Sequence, residues 1–255
     1  MNSYSFSIDL VSAAKYQINF LKKIDRNGNL YEGEYFERAL YRYEVIWLPM
    51  LQKHNYDEKL IAPIDVEWIW HVHMLCPTQY IEDMKSIANF VPNHRLKSEQ
   101  EIQHYYQFSK QKWEQFSSVG YDYMNDKTQQ PIFKSRIKYD IKSASSRQKA
   151  FYYNVSLPHF KNDDFLKLGI ERYKKFLQLK SELPNLFIVP CYLIDIIWHS
   201  HQLHPSAYRQ DVMKILGFVL PHDDSVNDRS PGSKLNVSSD MTCKEWKEVS
   251  LKFNI

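Results

Sequence analysis

The sequence IIWHSHQLHPSAYRQD at residues 196–211 repeats the pattern of WIWHVHMLCPTQYIED at residues 68–83. Both stretches read Trp-His-x-His-x-Leu-x-Pro-x-x-Tyr-x-x-Asp. We call the shift along the chain that carries Trp70 onto Trp198 the repeat register. Tryptophan and histidine are scarce residues, so chance is a poor explanation for a doubled pattern built on them. The repetition indicates either a repeated packing unit or a repeated chemical site.

Apolar residues with helical spacing precede each motif. They recur at intervals of i, i+4, i+7 and i+11, which marks one face of a helix. These residues are Phe36, Leu40, Tyr43 and Trp47 in the first half, and Leu166, Ile170, Tyr173 and Leu177 in the second. Two such matches in the same order indicate an internal duplication. We therefore predict a mostly α-helical, internally duplicated domain, whose two lobes are related by a pseudo-twofold axis.

Each motif is predicted to form a helix, a tight corner and a second helix. Pro77 and Pro205 suit the first turn of the second helix, where the missing N–H of proline costs no hydrogen bond. The predicted organisation is an N-terminal lobe at residues 1–124, a basic linker at 125–149, and a C-terminal lobe with a polar tail at 150–255.

The predicted linker is basic and contains a helix breaker. Pro131 lies within it, and six basic residues fall between Lys134 and Lys149. Such a segment is either a solvated connection or a surface for RNA or acidic lipid.

Composition excludes several classes of protein. The formal net charge is +3, from 33 Lys and Arg against 30 Asp and Glu, which is too small to indicate a polyanionic partner. Three cysteines without a CxxC pair do not indicate a disulfide framework, and they favour a reducing compartment. The N-terminal residues lack the pattern of a signal peptide, and the chain has no apolar run long enough to span a membrane. We therefore expect a cytoplasmic protein.

An acidic residue lies four positions before the first histidine of each motif, Glu67 before His71 and Asp195 before His199. On a helix each pair shares one face, with Cβ atoms about 5–6 Å apart. The second histidine of each motif lies two positions further on, about 200° round the helix. One straight helix therefore cannot aim both histidine rings at a single point.

Three interpretations of the motif remain open. In the first, its aromatic residues are core, and each histidine is hydrogen-bonded by its acidic neighbour or by a carbonyl. In the second, the two motifs meet across the pseudo-twofold and hold zinc, iron or manganese, because imidazole together with carboxylate suits these ions. In the third, the histidine–carboxylate pairs act in acid–base catalysis or line a small-ligand pocket without a metal.

The candidate residues divide into two sets. The candidate metal ligands are Glu67, His71, His73, Asp195, His199 and His201. The candidate ligand-binding residues are Trp70, Tyr80, Trp198, His204, Tyr208, His222, Asp223 and Asp224. The last three belong to the stretch PHDD at residues 221–224, which is either a solvated turn or a cation or phosphate site.

Six stretches carry a more specific signal: RYEVIWLPML, DVEWIWHVHMLCPTQY, FYYNVS, FLKLGIERYKKFL, VPCYLIDIIWHSHQLHPSAYRQD and LGFVLPHDDSVNDRSPGSKL. Together they resemble the glycine-rich domain-containing protein family, best known in plants and also found in fungi and protists. The resemblance runs from about Phe36 to Trp246. It implies a shared domain of unknown function, with plant members linked to stress and hormone responses and some carrying a proposed RNA-binding motif.

Two expectations attached to this family are not carried over. The chain has 6 glycines and no glycine-rich tail, so any function of that tail is left out. Some fungal relatives are labelled 2-oxoglutarate-dependent sulfonate dioxygenases, which need a jelly-roll of short strands and an HxD…H iron triad. Neither the helical periodicity nor the HxH spacing supplies these features.

We predict a cytoplasmic binding or scaffold domain, with a divalent metal or small ligand where the two motifs meet. The first alternative is a metal-dependent enzyme of the hydrolase or non-haem-iron oxygenase type, using the paired histidines and carboxylates. The second is an RNA-binding regulatory protein. The sequence does not specify a partner. A protein is one candidate, and nucleic acid at the linker is another.

Overall fold

Helices form the regular structure of the chain. A computed structural model describes residues 5–125, 132–226 and 230–253. The α-helices are α1 Leu10–Asn27, α2 Glu34–Tyr41, α3 Leu48–Lys53, α4 Ile64–Met74, α5 Pro77–Ala88, α6 Glu99–Phe116, α7 Ile141–Val155, α8 Asp163–Glu182, α9 Tyr192–Gln202, α10 Pro205–Leu216 and α11 Lys234–Phe253. A π-helical segment, Arg42–Trp47, joins α2 to α3, and a 3₁₀ turn, Pro158–Lys161, precedes α8. The predicted mostly α-helical fold is confirmed.

The helix–corner–helix unit occurs twice, as predicted. Helix α9 has the same length as α4, and α10 the same length as α5, and both pairs are in repeat register. A short corner joins the helices of each unit, and the second helix begins with Pro77 or Pro205. A proline at this position fixes the helical φ without losing a hydrogen bond, so it starts the second helix directly after the corner.

Equivalent hydrogen bonds confirm the duplication. In each repeat a tryptophan indole donates to a tyrosine hydroxyl, from Trp70 to Tyr80 over 2.9 Å and from Trp198 to Tyr208 over 3.0 Å. Each hydroxyl in turn donates to a carbonyl oxygen, that of Pro92 or of Leu220. These two carbonyls also lie in repeat register, so the correspondence between the halves extends beyond the motif.

The two repeats interlock. Helix α1 packs against α8 and α9 of the second repeat, and α7 packs against α4 of the first as well as α9 of its own repeat. The segments that precede α1 and α7 also contact the opposite repeat. The backbone N–H of Ser7 donates to Asp211 over 2.8 Å, and that of Lys138 donates to Asp83 over 3.1 Å. Each repeat is therefore packed against a helix from the other side of the pseudo-twofold, α1 or α7, and against the segment that precedes that helix.

The segment predicted as a linker, 125–149, is helical from Ile141 onward. Asp140 caps the helix by accepting from the N–H of Ser143 over 3.2 Å. Ala144 and Ser145 are buried, and Ser145 accepts a hydrogen bond from the indole of Trp68. The small polar residues that suggest an exposed connection therefore lie at a tight helix contact. Residues 126–131 of the linker, including Pro131, lie outside the described residues.

Helix α4 is apolar on almost every side, which suits its place in the core. Nine of its eleven residues are buried, as expected for a helix enclosed by others. Beside it, Arg42 donates to Asp65 over 2.6 Å, with both side chains fully buried. The remaining guanidinium hydrogens reach the carbonyls of Gly120 and Tyr121. Among the described helices, none has the length and apolar character needed to cross a bilayer.

Candidate metal centre

The aromatic residues of the two motifs lie in the core. Trp70, Tyr80 and Tyr208 are buried, and their polar atoms are used by the hydrogen bonds between indole, hydroxyl and carbonyl. Trp198 is also buried, but one edge of it lines a pocket described below. The hydrogen bonds of these four residues, which are predicted to bind a ligand, join each corner to the segment that follows it.

The second histidines are held by side chains of their own repeats. His73 lies 3.2 Å from the hydroxyl of Tyr43 through Nδ1 and 3.3 Å from Asp83 through Nε2. His201 repeats this arrangement with Tyr173 and Asp211, each at 3.2 Å. Burial lowers the pKa of both histidines. His73 and His201 are two of the predicted metal ligands. The structure does not place either of them with the three side chains that converge in the second repeat.

In the first repeat, the predicted metal ligands Glu67 and His71 do not converge. Glu67 accepts a hydrogen bond from His94 over 2.7 Å. The His71 ring lies between Phe20 and Trp68, and neither of its nitrogens has a hydrogen-bond partner in the described part of the chain. Burial lowers the pKa of His71 well below its usual value. This histidine is neutral and enclosed by rings.

In the second repeat, three side chains do converge. Asp195, His199 and His222 each offer an atom within 4.8 Å of the others. The Nε2 atom of His199 lies 3.2 Å from Asp195 Oδ1 and 3.2 Å from His222 Nε2. We call these three residues the metal-type cluster. It contains one predicted pair, Asp195 with His199, but neither Glu67 nor His71, so the four-residue arrangement expected across the pseudo-twofold is not assembled.

The tautomer of His222 is fixed by a carbonyl group. Its Nδ1 lies 2.7 Å from the carbonyl oxygen of Leu75. Because a carbonyl oxygen can only accept, Nδ1 carries the hydrogen. Burial, followed by the charge of His199, lowers the pKa of His222. The ring is therefore neutral, and the lone pair of Nε2 faces His199 and Asp195. A histidine held in this way by a carbonyl has the usual outer-sphere support of a metal ligand.

The separations within the cluster suit a small divalent ion. Ligand atoms about 2.0–2.1 Å from a tetrahedral zinc lie about 3.3 Å from each other. The two separations of 3.2 Å at His199 Nε2 are close to this value. Two imidazole nitrogens and one carboxylate oxygen form a donor set that zinc, iron and manganese accept. Although Asp195 Oδ1 approaches His199, it makes no well-aligned hydrogen bond within the described part of the chain.

The cluster opens into a pocket of about 520 Å³, which we call the second-repeat pocket. The ring centroids of Phe151 and His199 lie 4.5 Å apart at its wall. On another side, Arg147 donates to Asp224 over 2.7 Å, and the hydroxyl of Tyr139 donates to the same oxygen over 3.0 Å. Arg147 comes from α7, in the segment predicted to be a linker. Apolar rings and one partly buried ion pair therefore border the space beside the cluster.

The PHDD stretch has several roles. His222 belongs to the cluster, and Asp224 pairs with Arg147. Asp223 is exposed and accepts from Ser225, as in the alternative of a solvated turn. The remaining predicted ligand-binding residue, His204, bonds the Ser200 carbonyl through Nδ1 and accepts from the N–H of Leu96 through Nε2. It lies at the contact between repeats.

Several basic residues of the predicted linker are paired with carboxylates. Arg136 donates to Glu44 and Lys142 donates to Glu37, each over 2.9 Å. Together with Arg147, three of the six basic residues are thus engaged in ion pairs. This pairing reduces the number of linker cations that are free to contact phosphates, and the RNA interpretation stays a prediction.

Two histidines lie beside the motif carboxylates in the structure, and the sequence did not predict these pairings. His94 and His222 follow their motifs in repeat register with each other. Both belong to irregular segments without periodicity. The shared register is the one sequence signal that could have paired them, because it places each at the same distance from a motif carboxylate.

Comparison with known proteins gives a consistent result. The family model described as "Glycine-rich domain-containing protein-like" matches residues 1–83 and again residues 79–211. Glycine-rich domain-containing protein 1 of Arabidopsis thaliana is 36% identical over 263 residues, which cover 95% of this chain and 32% of that protein. Glycine-rich domain-containing protein 2 of the same plant is 36% identical over 267 residues, covering 95% of this chain and 33% of its own length.

The chain thus spans about a third of the length of these curated relatives. No solved structure matches it significantly.

Proposed function

Because this chain belongs to the glycine-rich domain-containing protein-like family, we propose that its domain is a binding module whose second repeat holds a divalent metal ion through Asp195, His199 and His222. The observation that carries the proposal is the convergence of these three side chains, with their ligand atoms within 4.8 Å of one another.

The protonation of the cluster favours a metal. His222 donates through Nδ1 to Leu75, so its Nε2 lone pair faces that of His199 unless a proton lies between them. A divalent ion replaces this proton and draws both nitrogens and the carboxylate to one centre. Burial holds the pKa of His222 below its usual value, so near neutral pH its Nε2 carries no proton of its own for the ion to displace.

A small ligand completes the proposed site. Three protein ligands leave at least one coordination position open on an ion such as zinc, and the second-repeat pocket adjoins the cluster. The pocket is within the size range of small-molecule sites. Arg147 and Asp224 lie beside this space, where they can bond to polar groups of a bound molecule.

We place this activity in the cytoplasm. The cysteines Cys76, Cys191 and Cys243 are free, as expected for a protein in a reducing compartment.

A metal-dependent enzyme is the second candidate function, and one observation favours it. Structural zinc sites have four protein ligands, whereas catalytic sites have three and keep an open position. A cluster of three ligands beside a pocket matches the catalytic arrangement better. In such an enzyme the ion would supply Lewis-acid chemistry or an activated water, and Arg147 with Asp224 would orient the substrate.

The test is metal analysis of protein purified without an affinity tag. We expect about one equivalent of zinc, iron or manganese per chain, and its loss in an Asp195→Asn plus His199→Gln variant. The matched control is Glu67→Gln plus His71→Gln, which changes the equivalent residues of the first repeat and is expected to leave the metal content unchanged. Substoichiometric metal after reconstitution, or equal loss in both variants, overturns the proposal.

Competition by a chromophoric chelator then gives the affinity of each variant. For the enzyme candidate, the discriminating measurement is made on protein in which cobalt replaces the native metal. It asks whether water or a small anion can exchange at that ion. A four-ligand protein site would give a visible spectrum that azide does not change. An open site gives a spectrum that shifts on azide addition.

A further inference from the structure

The first repeat contains a counterpart of the second-repeat pocket. This first-repeat pocket has a volume of about 300 Å³ and is lined by α1, α4, α6 and the segments 95–97 and 121–123. Glu67 lines it where Asp195, its partner in repeat register, lines the other pocket. Phe20 packs on the ring of His71 as Phe151 packs on that of His199. The duplication has therefore produced two pockets at equivalent places.

Among its described residues, the first-repeat pocket has no cluster of metal-type ligands. Arg95 and Leu96 occupy, in repeat register, the positions that Asp223 and Asp224 hold in the second repeat. Tyr16 precedes Phe20 by four residues, as Arg147 precedes Phe151. The motif carboxylate, Glu67, is hydrogen-bonded to His94 over 2.7 Å. The chemistry of this pocket therefore differs from that of its counterpart.

Aromatic rings dominate the lining of this pocket. The apolar and aromatic residues around it include Phe20, Ile61, Ile102, Tyr106, Tyr121 and Tyr123. The hydroxyl of Tyr121 donates to the carbonyl of Ile61 over 2.8 Å, and that of Tyr123 donates to Asn29 over 3.3 Å. Because these bonds engage the hydroxyls, the tyrosines are oriented by them and offer ring surface to a flat molecule.

One cation at the pocket has no contact partner among the described residues. Lys23 pairs with Glu99, and Arg95 pairs with Glu101, each over 2.6 Å. Lys97 is half-buried and makes no hydrogen bond or close ion pair within the described part of the chain. Burial lowers the pKa of its ammonium group, and the more distant charge of Glu67 offsets this only in part. A partly desolvated cation without a contact partner is less stable than one in water, and an anion bound beside it offsets that cost.

We propose that the first-repeat pocket binds an aromatic carboxylate, with the ring system among the tyrosines and the carboxylate on Lys97. The size of the pocket is at the lower end for small-molecule sites, which fits a molecule of one or two rings. This site is separate from the metal-type cluster and does not depend on a metal ion.

The test uses 2-naphthoate as the probe and its neutral isostere 2-naphthamide for comparison, both titrated calorimetrically into the full chain. We expect saturable binding of one 2-naphthoate per chain. Lys97→Met keeps the length of the side chain and removes its charge, so it should weaken 2-naphthoate about tenfold or more. The affinity for 2-naphthamide should stay within about threefold of the wild-type value.

Three further variants show which pocket the probe occupies. Lys180→Met removes the lysine that lines the second-repeat pocket and should not affect 2-naphthoate binding. His199→Gln should abolish metal binding and leave the probe affinity unchanged, which keeps the two proposals independent. Ile102→Trp fills the first-repeat pocket from α6 without changing charge, and it should weaken both probes.

Three results overturn the proposal. They are no saturable binding of 2-naphthoate below about 1 mM, an equal loss for both probes in Lys97→Met, and a loss of 2-naphthoate affinity in Lys180→Met.

Discussion

His222 reaches across the pseudo-twofold to Leu75, whose carbonyl oxygen accepts from Nδ1 of the ring over 2.7 Å. The reciprocal bond runs from His94 of the first repeat to the carbonyl of Leu203 in the second, over 2.6 Å. Each bond joins the corner of one repeat to the segment that follows the motif in the other. Because Nδ1 of each histidine is used in these bonds, Nε2 of each ring faces the repeat to which that histidine belongs.

The two reciprocal histidines should differ in metal binding, although the loss of either one should lower stability. His222→Gln and His94→Gln each remove one hydrogen bond between repeats, so each should lower the free energy of unfolding by at least about 1–3 kcal/mol in urea denaturation. His94→Gln should lower it further, because it also removes the bond from Nε2 of the ring to Glu67. Only His222→Gln removes a ligand of the metal-type cluster, so only it should lose zinc in a chelator competition. Equal metal affinity in the two variants would contradict the assignment of the cluster.

Stability should fall as the pH is lowered because of His204. Burial, opposed in part by the bond to Ser200, lowers its pKa from 6.5 to about 4. Between these values the unfolded chain binds a proton that the folded chain does not, so stability present above pH 6.5 is lost as the pH falls toward 4. The full loss is about 3 kcal/mol, and about 2 kcal/mol is lost by about pH 5.

His204→Gln provides the comparison for this pH effect. The other buried histidines titrate in both proteins, so their contributions cancel in the difference. We expect the free energy of unfolding to drop less between pH 7 and pH 5 in His204→Gln than in the wild type. Identical pH slopes in the two proteins would show that His204 accepts a proton without unfolding.

The two tryptophan–tyrosine pairs should be energetically equivalent. Tyr80→Phe and Tyr208→Phe each remove a hydroxyl that accepts from a buried indole and donates to a buried carbonyl. Each change should lower the free energy of unfolding by about 1–3 kcal/mol. A difference between them of more than about 1 kcal/mol in urea denaturation would indicate that one pair has a role beyond packing.

Gly169→Ala should destabilise the contact between α8 and α9. A methyl group at this position would lie 2.8 Å from Leu193 Cδ1 and 3.1 Å from the Leu193 carbonyl oxygen. Overpacking of this kind costs about 1–3 kcal/mol, against about 1 kcal/mol gained from the higher helix propensity of alanine. Thermal unfolding should show a lowered Tm, partly restored by Leu193→Ala in the same chain. A raised Tm would contradict the prediction, because it would mean that α8 and α9 can move apart to accept the methyl group at no net cost.

Much of the fold could be predicted from the sequence, because Trp, His and Pro at fixed positions mark the corner twice. Helix α7 was harder to predict from the sequence. The burial of Ser145 depends on a hydrogen bond from Trp68, which lies far away in the sequence, and a small polar side chain gives no hydrophobic signal of its own. The π-helical segment Arg42–Trp47 likewise has no marker in the spacing of its apolar residues.

The candidate site was predicted in part. Asp195 and His199 share a helix face, and their pairing follows from the spacing of four residues. His222 arrives from an irregular segment, so its distance from His199 depends on how the tail folds back over the corner. The same is true of His94, whose bond to Glu67 removes the first-repeat carboxylate from any shared site. Periodicity cannot report such contacts, because it describes only residues on one element.

The exchange of α1 and α7 between the repeats has a consequence for how the chain folds. A break within residues 125–140 would leave each fragment with a helix made to pack on the other. Each fragment would then leave exposed the apolar surface that α1 or α7 covers in the intact chain, so its folding should be incomplete until the two fragments meet. Recovery of the native form from such fragments should be bimolecular, with a rate proportional to their concentration, whereas the intact chain should unfold in one cooperative transition.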